Sequence, residues 1–412
     1  MGESTFVRTR AGNRTTSNVL RRNQLRLDWP LVIAVSVLLI IGVIFVFSSS
    51  VGRALESDKP VTYFGVRTII WILLGGVIAL GVTLFDYRRI NKVMAVVGML
   101  GVVVLVIYTI FSTRSGVAGR SIFGDSGQPT EFVKLGLIIY LGIWLTSKQD
   151  VLSNWSLGLI PFATIVGGLT GLILIQGDFS AGLTVFLLGV IMFIVAGGRL
   201  RQTVVFVAVA IAFGFIVMGI FGNGREGRIS DFINGLKNPY KSSSHVLKAA
   251  EAIGRGGLFG VGLGESIAKY TGLPVPWTDS IFAVIVEEAG SFFGLGVVGL
   301  YIFILWRGLS IARRAPDMVG KFIASGISIW IALEAFLNIG ALVNLAPFGG
   351  NALPFISYGG SSMLASLIGI GLLNNIAGAK PETKVEEGRN YGAVVDLRRR
   401  DRRRSVPRPR GA

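Results

Sequence analysis

The chain has 412 residues, of which 51% are hydrophobic and only 15% charged, and its formal net charge is +17. Soluble domains carry about 25% charged residues, so this composition, with a mean hydropathy of +0.65, excludes an ordinary soluble fold. The chain has no cysteine and one histidine, which excludes disulfides, thiolate nucleophiles and multi-histidine metal sites.

Long apolar segments recur along the chain, each close to the ~20 residues with which a helix crosses a bilayer. They predict an all-α polytopic membrane domain over residues 30–378, with a basic tail on either side at 1–29 and 379–412. The ten predicted spans are 30–50, 65–85, 93–112, 130–146, 157–176, 179–197, 203–222, 279–306, 318–345 and 354–378.

Positive charge is concentrated in the two tails and in the loops that an even number of spans places on the same side. The positive-inside rule therefore predicts that both termini are cytoplasmic. The C-terminal segment "DLRRRDRRRSVPRPR" suggests nucleic-acid binding as an alternative. A disordered tail lying against anionic lipid or a cytoplasmic partner is favoured, and no nucleic-acid partner is expected.

A long extracytoplasmic loop, residues 223–278, is predicted between the seventh and eighth spans, and loops of this length tend to be functional or disordered. Within it, "HVLKAAEAIGRGG" has the spacing of a short amphipathic helix suited to the outer membrane interface. The predicted apolar face consists of Val246, Ala249, Ala250 and Ile253, and the predicted polar face of Lys248, Glu251 and Arg255.

Three carboxylates accompany the next apolar segment, "LPVPWTDSIFAVIVEEAG". Asp279 stands at its outer end, where either a helix-capping or a functional role is possible. Glu287 and Glu288 lie within the predicted span, where a carboxylate costs about 2.5–3.5 kcal/mol to insert. Glu287 lies about 80° around the helix from Asp279, so it is placed in the same cleft. Glu288 is on the opposite face, and a structural role for both glutamates stays open.

Further polar residues flank the outer side in "AGRSIFGDSGQPTEFVKLGL" and "QGDFSAG". Each also has an ordinary explanation, a local ion pair in the first segment and a tight turn in the second. Together they predict a polar site at the mouth of an apolar cavity, suited to a ligand with a lipid tail, a phosphate group and sugar hydroxyls. The residues are Arg120, Gln128, Glu131, Lys134, Gln176 and Asp178.

Five motifs in matching order, from residue 26 to residue 378, resemble the SEDS family, the FtsW/RodA group of peptidoglycan polymerases. They are "RLDWPL", "QPTEFVKL", "IGRGGLFGVGLGES", "LPVPWTDSIFAVIVEEAG" and "LPFISYGGSS". The motif order and the basic C-terminal tail look more like FtsW than RodA. The resemblance implies a SEDS-type bundle of ten helices in the bacterial cytoplasmic membrane. It also implies polymerisation of lipid II, the undecaprenyl-linked precursor, on the outer face during division or elongation. The implied partners are a class B penicillin-binding protein, which is a transpeptidase, and other division or elongation proteins.

The resemblance also assigns roles residue by residue. The essential aspartate of the family falls on Asp279, which we expect to be the catalytic base or the group that orients the acceptor. Where the family has Glu and His before this aspartate, the chain has Val275 and Trp277, and where it has Gln in the amphipathic segment, the chain has Lys248. The predicted substrate-binding residues are Arg120, Lys134, Gln176, Asp178, Lys248, Arg255, Lys269, Trp277, Thr278, Glu287, Ser357 and Ser361.

Positive charge is needed for the departing diphosphate, and the predicted cations supply it in the first instance. A divalent cation such as Mg²⁺ or Mn²⁺, held by Asp279, is an alternative source of this charge. Two other functions are kept open by the sequence: a flippase or transporter of a lipid-linked precursor, and a non-catalytic scaffold that recruits a transpeptidase. A transporter should concentrate its polar groups near the middle of the bilayer, whereas most of these candidates lie at the outer surface.

Overall fold

The computed structural model describes residues 27–114, 128–221, 227–347 and 349–380. Within these ranges the chain is all-helical, as predicted, without a β-strand. Both basic tails lie almost entirely outside the described residues, so the predictions about them stay predictions. The helices are α1 Trp29–Ser49, α2 Val51–Glu56, α3 Tyr63–Leu84, α4 Lys92–Arg114, α5 Thr130–Lys148, α6 Ile160–Ile175, α7 Phe179–Val195, α8 Leu200–Phe221, α9 Gly227–Lys237, α10 Ser244–Gly256, α11 Ile281–Ala289, α12 Ser291–Arg314, α13 Met318–Leu342 and α14 Gly360–Gly378.

Eight segments of the described chain are long and apolar enough to cross a bilayer. They comprise α1, α3, α4, α5, α6 with the turn before it, α12, α13 and α14. Two shorter apolar segments, Phe179–Val195 and Leu200–Gly214, correspond to the sixth and seventh predicted spans. The chain is therefore a multi-pass membrane protein.

The prediction of one continuous span over residues 279–306 is wrong, because the helix is interrupted at Gly290. This residue has a φ of +89°, and a Cβ there would lie 2.5 Å from the carbonyl carbon of Phe259. Only glycine tolerates both the left-handed backbone and the close approach of the loop between α10 and α11. This loop, residues 257–280, is called the outer loop below after its predicted side of the membrane. The interruption leaves α11 as a separate, buried helix of 9 residues that precedes α12.

The outer loop pairs with the end of α11 through its backbone. The amide of Val261 donates to Glu287 O over 2.9 Å, and the amide of Gly262 donates to Glu288 O over 3.0 Å. These bonds hold the glycine-rich segment after α10 against the helix that follows Asp279.

The amphipathic helix predicted within residues 223–278 is α10, but its buried face differs from the predicted one. Ala249 and Ala252 are fully buried, whereas Ala250 is exposed, so its assignment to the apolar face was wrong. The buried face packs against α11, where Gly256 approaches the carbonyl of Val286 too closely for any side chain. This buried face consists of His245, Ala249, Ala252 and Gly256, which follow one another at the spacings of three and four residues that place side chains on one side of a helix.

The other end of the bundle is fixed by an ion pair between α12 and the start of α1. Arg307 donates to both carboxylate oxygens of Asp28, with distances of 2.8 to 3.1 Å. The backbone amide of Asp28 donates to Asn374 Oδ1 over 2.8 Å, which adds α14 to the junction. Bidentate Arg–carboxylate pairs of this kind add geometric specificity as well as energy.

Helix α13 lies at the centre of the bundle and packs against α5, α7, α12 and α14. Besides Ser325 and Ser328, it buries Glu334 and Asn338, which are one helical turn apart and therefore on the same face. Helices α3 and α4 are peripheral and expose much of their apolar surface, as expected for helices that face lipid. The fold thus presents two internal polar groups of α13 to the helices and loops around it.

Candidate functional site

Asp279 lies at the end of the loop that follows α10, two residues before α11 and outside the spanning helices. Its side chain is half-buried. The turn that carries it begins at Val275, a non-glycine residue with a φ of +45°. The amides of Thr278 and Ser280 both donate to Val275 O, which closes the turn. A β-branched residue in the left-handed region is strained, and such strain persists only where the surroundings fix the backbone.

The surroundings fix it by binding three consecutive carbonyl groups of the turn. Two of the donors belong to the segment before α14, and the third is a side chain of α13. The hydrogen bonds are Tyr358 N to Trp277 O, 3.0 Å; Ser357 Oγ to Thr278 O, 2.7 Å; and Asn338 Nδ2 to Asp279 O, 2.9 Å. Two of the motifs that carry the family resemblance, "LPVPWTDSIFAVIVEEAG" and "LPFISYGGSS", therefore meet at Asp279, although about 80 residues separate them in sequence.

The carboxyl group of Asp279 has an unusual electrostatic environment. Burial raises its pKa from 3.8 to about 6, the nearby charge of Asp178 acts in the same direction, and a hydrogen bond with Thr278 opposes both. Its oxygen Oδ2 lies so close to Gly350 that a Cβ on that residue would be 2.9 Å away. A carboxyl with a pKa of this size changes protonation near neutral pH, which suits general acid–base work.

The only histidine of the chain contacts Ser280, the residue that follows Asp279. His245 Nε2 lies 2.6 Å from Ser280 Oγ, and this hydroxyl donates its one proton to Pro274 O over 2.6 Å. The imidazole must therefore donate to Ser280, which assigns the proton to Nε2. Burial lowers the pKa of His245 to about 4, so the ring is neutral near pH 6. Sequence reasoning did not place it here.

Asp178 occupies the turn between α6 and α7, as predicted, and caps the N-terminus of α7. Its Oδ1 accepts from the amide of Ala181 over 3.1 Å and from Ser180 Oγ over 3.0 Å. Its Oδ2 accepts from Gln128 Nε2 and, at 3.5 Å, from Thr130 Oγ1. Asp178 is buried and accepts hydrogen bonds from the start of α5 and from the start of α7. It was predicted to bind substrate, and in the structure it also holds these two helices together.

Lys134, predicted to bind substrate, lies inside the bundle with an exposed side-chain fraction of 3%. Its ammonium forms ion pairs with Glu131, at 2.7 Å, and with Glu334 of α13. Glu131 and Lys134 are three residues apart on one face of α5, which the sequence indicated. Glu334 was missed, although an acid inside a long apolar span is a signal in its own right.

Lys269 is also internal. Its ammonium donates to Glu288 Oε1 over 3.0 Å, to Ser48 Oγ over 3.1 Å and to Gly264 O over 2.6 Å. Ser48 Oγ donates to the same carboxylate over 2.6 Å. Glu288 therefore bonds a neighbouring helix, α1, together with the outer loop, and the charge of Lys269 is balanced within the protein.

Glu287 is fully buried and bonded to the outer loop. Its carboxylate accepts from Ser266 Oγ over 2.5 Å and from the amide of Ala268 over 3.2 Å. Arg255 lies 3.4 Å away with a side chain that is 39% exposed. Lys248 donates to the carbonyl of Thr271 over 2.9 Å. These contacts make Glu287 an anchor of the loop. Arg255 pairs with Glu251 as well, at 3.6 Å, and its guanidinium stays accessible.

The remaining predicted substrate-binding residues that the structure describes each contact a different part of the protein. Trp277 packs near Phe64, with 6.3 Å between the ring centroids, and Arg53 lies 5.8 Å from its indole. Ser361 Oγ accepts from the amide of Gln128 over 2.9 Å, and Gln176 donates to Thr109 over 2.9 Å. Arg120 lies outside the described residues.

A cluster of cations and aromatic rings at the start of α3 was not predicted. Lys59 Nζ lies 4.4 Å from the ring centroid of Tyr63, and Arg67 donates to the hydroxyl of the same tyrosine over 2.8 Å. An arginine within the first turns of an apolar span, as in "YFGVRTIIW", is the signal that could have identified it. The residues lining the adjacent groove are Pro60, Thr62, Tyr63, Val66, Arg67, Ile70 and Trp71.

Comparison with known proteins gives this arrangement a family. The family model described as "Cell cycle protein", which covers FtsW, RodA and SpoVE, matches residues 29–382. The chain belongs to this family. Asp279, the loop that carries it and the segment before α14 all lie within the matched range.

Two sequence relatives of this FtsW/RodA/SpoVE chain come from Bacillus subtilis. Stage V sporulation protein E is 34% identical over 356 residues, covering 85% of this chain and 96% of the relative. A probable peptidoglycan glycosyltransferase FtsW is 36% identical over 366 residues, covering 85% and 90%. These relatives confirm the predicted family, its FtsW-like character and the predicted enzyme class, peptidoglycan glycosyltransferase.

Solved structures support the fold. A chain from a peptidoglycan synthase complex that coordinates polymerization and crosslinking matches with a TM-score of 0.67 and 24% identity, covering 86% of this chain and 98% of that one. RodA of Thermus thermophilus matches over the same shares, with a TM-score of 0.60 and 24% identity. The predicted SEDS-type helical bundle is thereby confirmed.

Proposed function

We propose that this glycosyltransferase polymerises a lipid-linked disaccharide of the lipid II type at the outer membrane face, with Asp279 as the general base. The observation that carries the proposal is the setting of Asp279. A half-buried carboxyl with a pKa near 6 is held at the start of a buried helix by a turn whose carbonyls are bonded on three consecutive residues. The charge distribution of the sequence supports the outer side, because the cytoplasmic loops carry the excess of Lys and Arg.

The reaction forms a bond between the acceptor's 4-hydroxyl oxygen and C1 of the donor sugar. The bond from C1 to the diphosphate oxygen breaks, and undecaprenyl diphosphate leaves with the bonding electrons. Asp279 in its ionised form accepts the hydroxyl proton as the oxygen attacks. A turn that is bonded on three carbonyls keeps the carboxylate in place, and such positioning supplies a large share of catalysis.

Negative charge on the departing diphosphate requires cations at the site. Arg255 is the most suitable of the predicted residues that the structure describes, because it is accessible and guanidinium binds phosphate in a bidentate manner. Arg255 also pairs with Glu251 and Glu287, but 39% of its side chain is exposed. Lys134 and Lys269 are paired with glutamates and only 3% of each side chain is exposed. We therefore assign the diphosphate to Arg255 together with Arg120 and Lys248.

A divalent cation is compatible with one carboxylate from the protein and oxygens from the diphosphate, which is how Mg²⁺ is often bound. Within the described residues, no group of three or more Asp, Glu or His side chains is arranged to hold a metal by itself. Asp279 would hold the ion, which would supply positive charge to the leaving group.

The proposed partner is a class B transpeptidase in the bacterial cytoplasmic membrane, together with other proteins of division or elongation. The similarity of fold to a chain in a peptidoglycan synthase complex supports such a partner. A polymerase also needs a cross-linking enzyme to incorporate its product into the wall.

The test uses the purified full-length protein in proteoliposomes that contain lipid II. Wild type should produce glycan polymer, and Asp279→Asn should produce none above background. Asp58→Asn is the matched control, since Asp58 is an exposed acid of an outer loop with a left-handed backbone that Asn also tolerates. Equal polymer from Asp279→Asn and wild type would rule out the assigned role. Transfer of lipid II across the bilayer without polymer would favour a flippase.

A further inference from the structure

We propose that Asn338 of α13 is a positioning residue for Asp279, a role that rests on the function proposed above. Its amide nitrogen Nδ2 donates to two carbonyls from different loops, Asp279 O at 2.9 Å and Asn351 O at 2.6 Å. One side chain therefore ties the turn that carries the catalytic acid to the segment 349–351, whose Gly350 lies against the carboxylate of the same acid.

The contact acts on both ends of the aspartate. Asn338 holds the backbone carbonyl of Asp279 directly, and it holds Gly350 indirectly through Asn351. Gly350 in turn limits where the carboxylate oxygen Oδ2 can lie. Of the three residues that bind carbonyls of the turn, Asn338 is the one bonded to Asp279 itself.

Asn338 is suited to this work because it is rigidly placed. It lies on the central helix α13 and only 3% of it is exposed. Within the described part of the chain, its side-chain oxygen Oδ1 is buried without a hydrogen-bond partner. A buried amide oxygen without a partner is unfavourable, because it loses its hydration and gains no hydrogen bond in return. Retaining a polar side chain at that cost, inside an apolar span, indicates a role other than stability.

Asn338 also connects the acid to the internal ion-pair cluster. It lies one turn after Glu334, which pairs with Lys134 of α5. The orientation of α13, and therefore of the amide, is fixed by this pair on one side. On the other side the small cleft beside the amide is lined by Ser180 of α7 and by the segment 349–351.

The test is steady-state polymerisation by the full-length protein in lipid II proteoliposomes, measured across pH. Asn338→Ala removes both hydrogen bonds that Nδ2 donates. We expect kcat to fall about 100-fold with KM nearly unchanged, because a displaced catalytic group slows the chemical step without weakening substrate binding. Without the bond to its backbone carbonyl, the turn loosens and the carboxyl of Asp279 becomes better hydrated. Its pKa then falls, and the acid limb of the pH profile moves down by about one pH unit. Asn338→Asp removes the donors but adds a second carboxyl beside Asp279, so the limb moves up by about one unit.

Asn374→Ala is the matched control. Asn374 is as buried as Asn338 and also makes two hydrogen bonds, but at the far end of the bundle. It should lower thermal stability without moving the pH profile. Unchanged kcat in both Asn338 variants, or a loss of activity with the wild-type pH profile, overturns the positioning role. If Asn338→Ala does not fold, Asn338→Asp alone decides by the direction of its shift. Failure of wild type or of Asp279→Asn to behave as expected would instead concern the proposed function.

Discussion

Gly350 lies against the carboxylate of Asp279, the proposed general base: a Cβ added to Gly350 would be 2.9 Å from Asp279 Oδ2, closer than carbon and oxygen atoms normally approach. Gly350 also has a φ of +73°, which residues with a side chain rarely adopt. The two observations together indicate that glycine at this position leaves room for the acid.

Gly350→Ala should therefore displace the carboxylate and lower kcat by about 10- to 100-fold, since small misplacements of catalytic groups have effects of this size. The strained backbone should also destabilise the protein by about 1 kcal/mol. Polymer yield from lipid II and thermal melting of the purified protein measure the two effects. Gly296→Ala in α12 is the control, because a Cβ there meets no atom within 4 Å and alanine favours the helix.

The pH dependence of polymerisation should report Asp279. Burial raises its pKa to about 6, and a general base acts in its ionised form, so activity should rise with pH through a midpoint near 6. His245 is the other group that ordinarily titrates in this range, but burial lowers its pKa to about 4. His245→Asn should leave the midpoint near 6. A profile that is flat between pH 5 and 7 would contradict the assignment of Asp279 as base.

Asp279 should also lower the stability of the folded protein near neutral pH. Its folded pKa of about 6 lies above its ordinary value of 3.8, so the fold disfavours the ionised form, and stability decreases as pH rises from about 4 to 6. Asp279→Asn removes this penalty and should melt at a higher temperature than wild type at pH 7.5. At pH 4 the difference should vanish. The exposed control Asp58→Asn should show no such pH-dependent gain.

Hydropathy predicted most of the helices because long apolar runs leave little choice of structure in a bilayer. It failed at Gly290, since the segments on both sides of the break are apolar on average, despite Glu287, Glu288 and Ser291, and a window of hydropathy does not register one left-handed glycine. The break matters, because it separates the short helix after Asp279 from α12 and makes room for the outer loop.

Asp279 was found from sequence because it ends a polar loop at an apolar segment and matches a family motif. Its supporting residues were found only in part. Asn338 and Glu334 are polar residues four positions apart in "LEAFLNIG", a pattern that marks one helical face, but their partners are distant in sequence. Lys134 and Glu334 are separated by 200 residues, and only the packing of α5 on α13 brings them together.

The same packing decides how Lys134 should respond to mutation. Lys134→Met leaves the carboxylates of Glu131 and Glu334 facing each other in the bundle without a cation. Breaking a buried ion pair in this way costs about 3–5 kcal/mol, so the variant should be strongly destabilised and should lose activity as it unfolds.

The variant Lys134→Met/Glu131→Gln/Glu334→Gln removes the unpaired charges and should recover most of the lost stability, as removal of a whole buried ion cluster often does. Thermal melting of Lys134→Met, of Glu131→Gln/Glu334→Gln and of the triple variant in the same detergent gives the coupling between the lysine and the two glutamates. If Lys134 serves only the internal cluster, the triple variant also recovers polymerisation. If Lys134 also binds the diphosphate, the triple variant folds but stays inactive, and the difference between the two outcomes assigns the lysine.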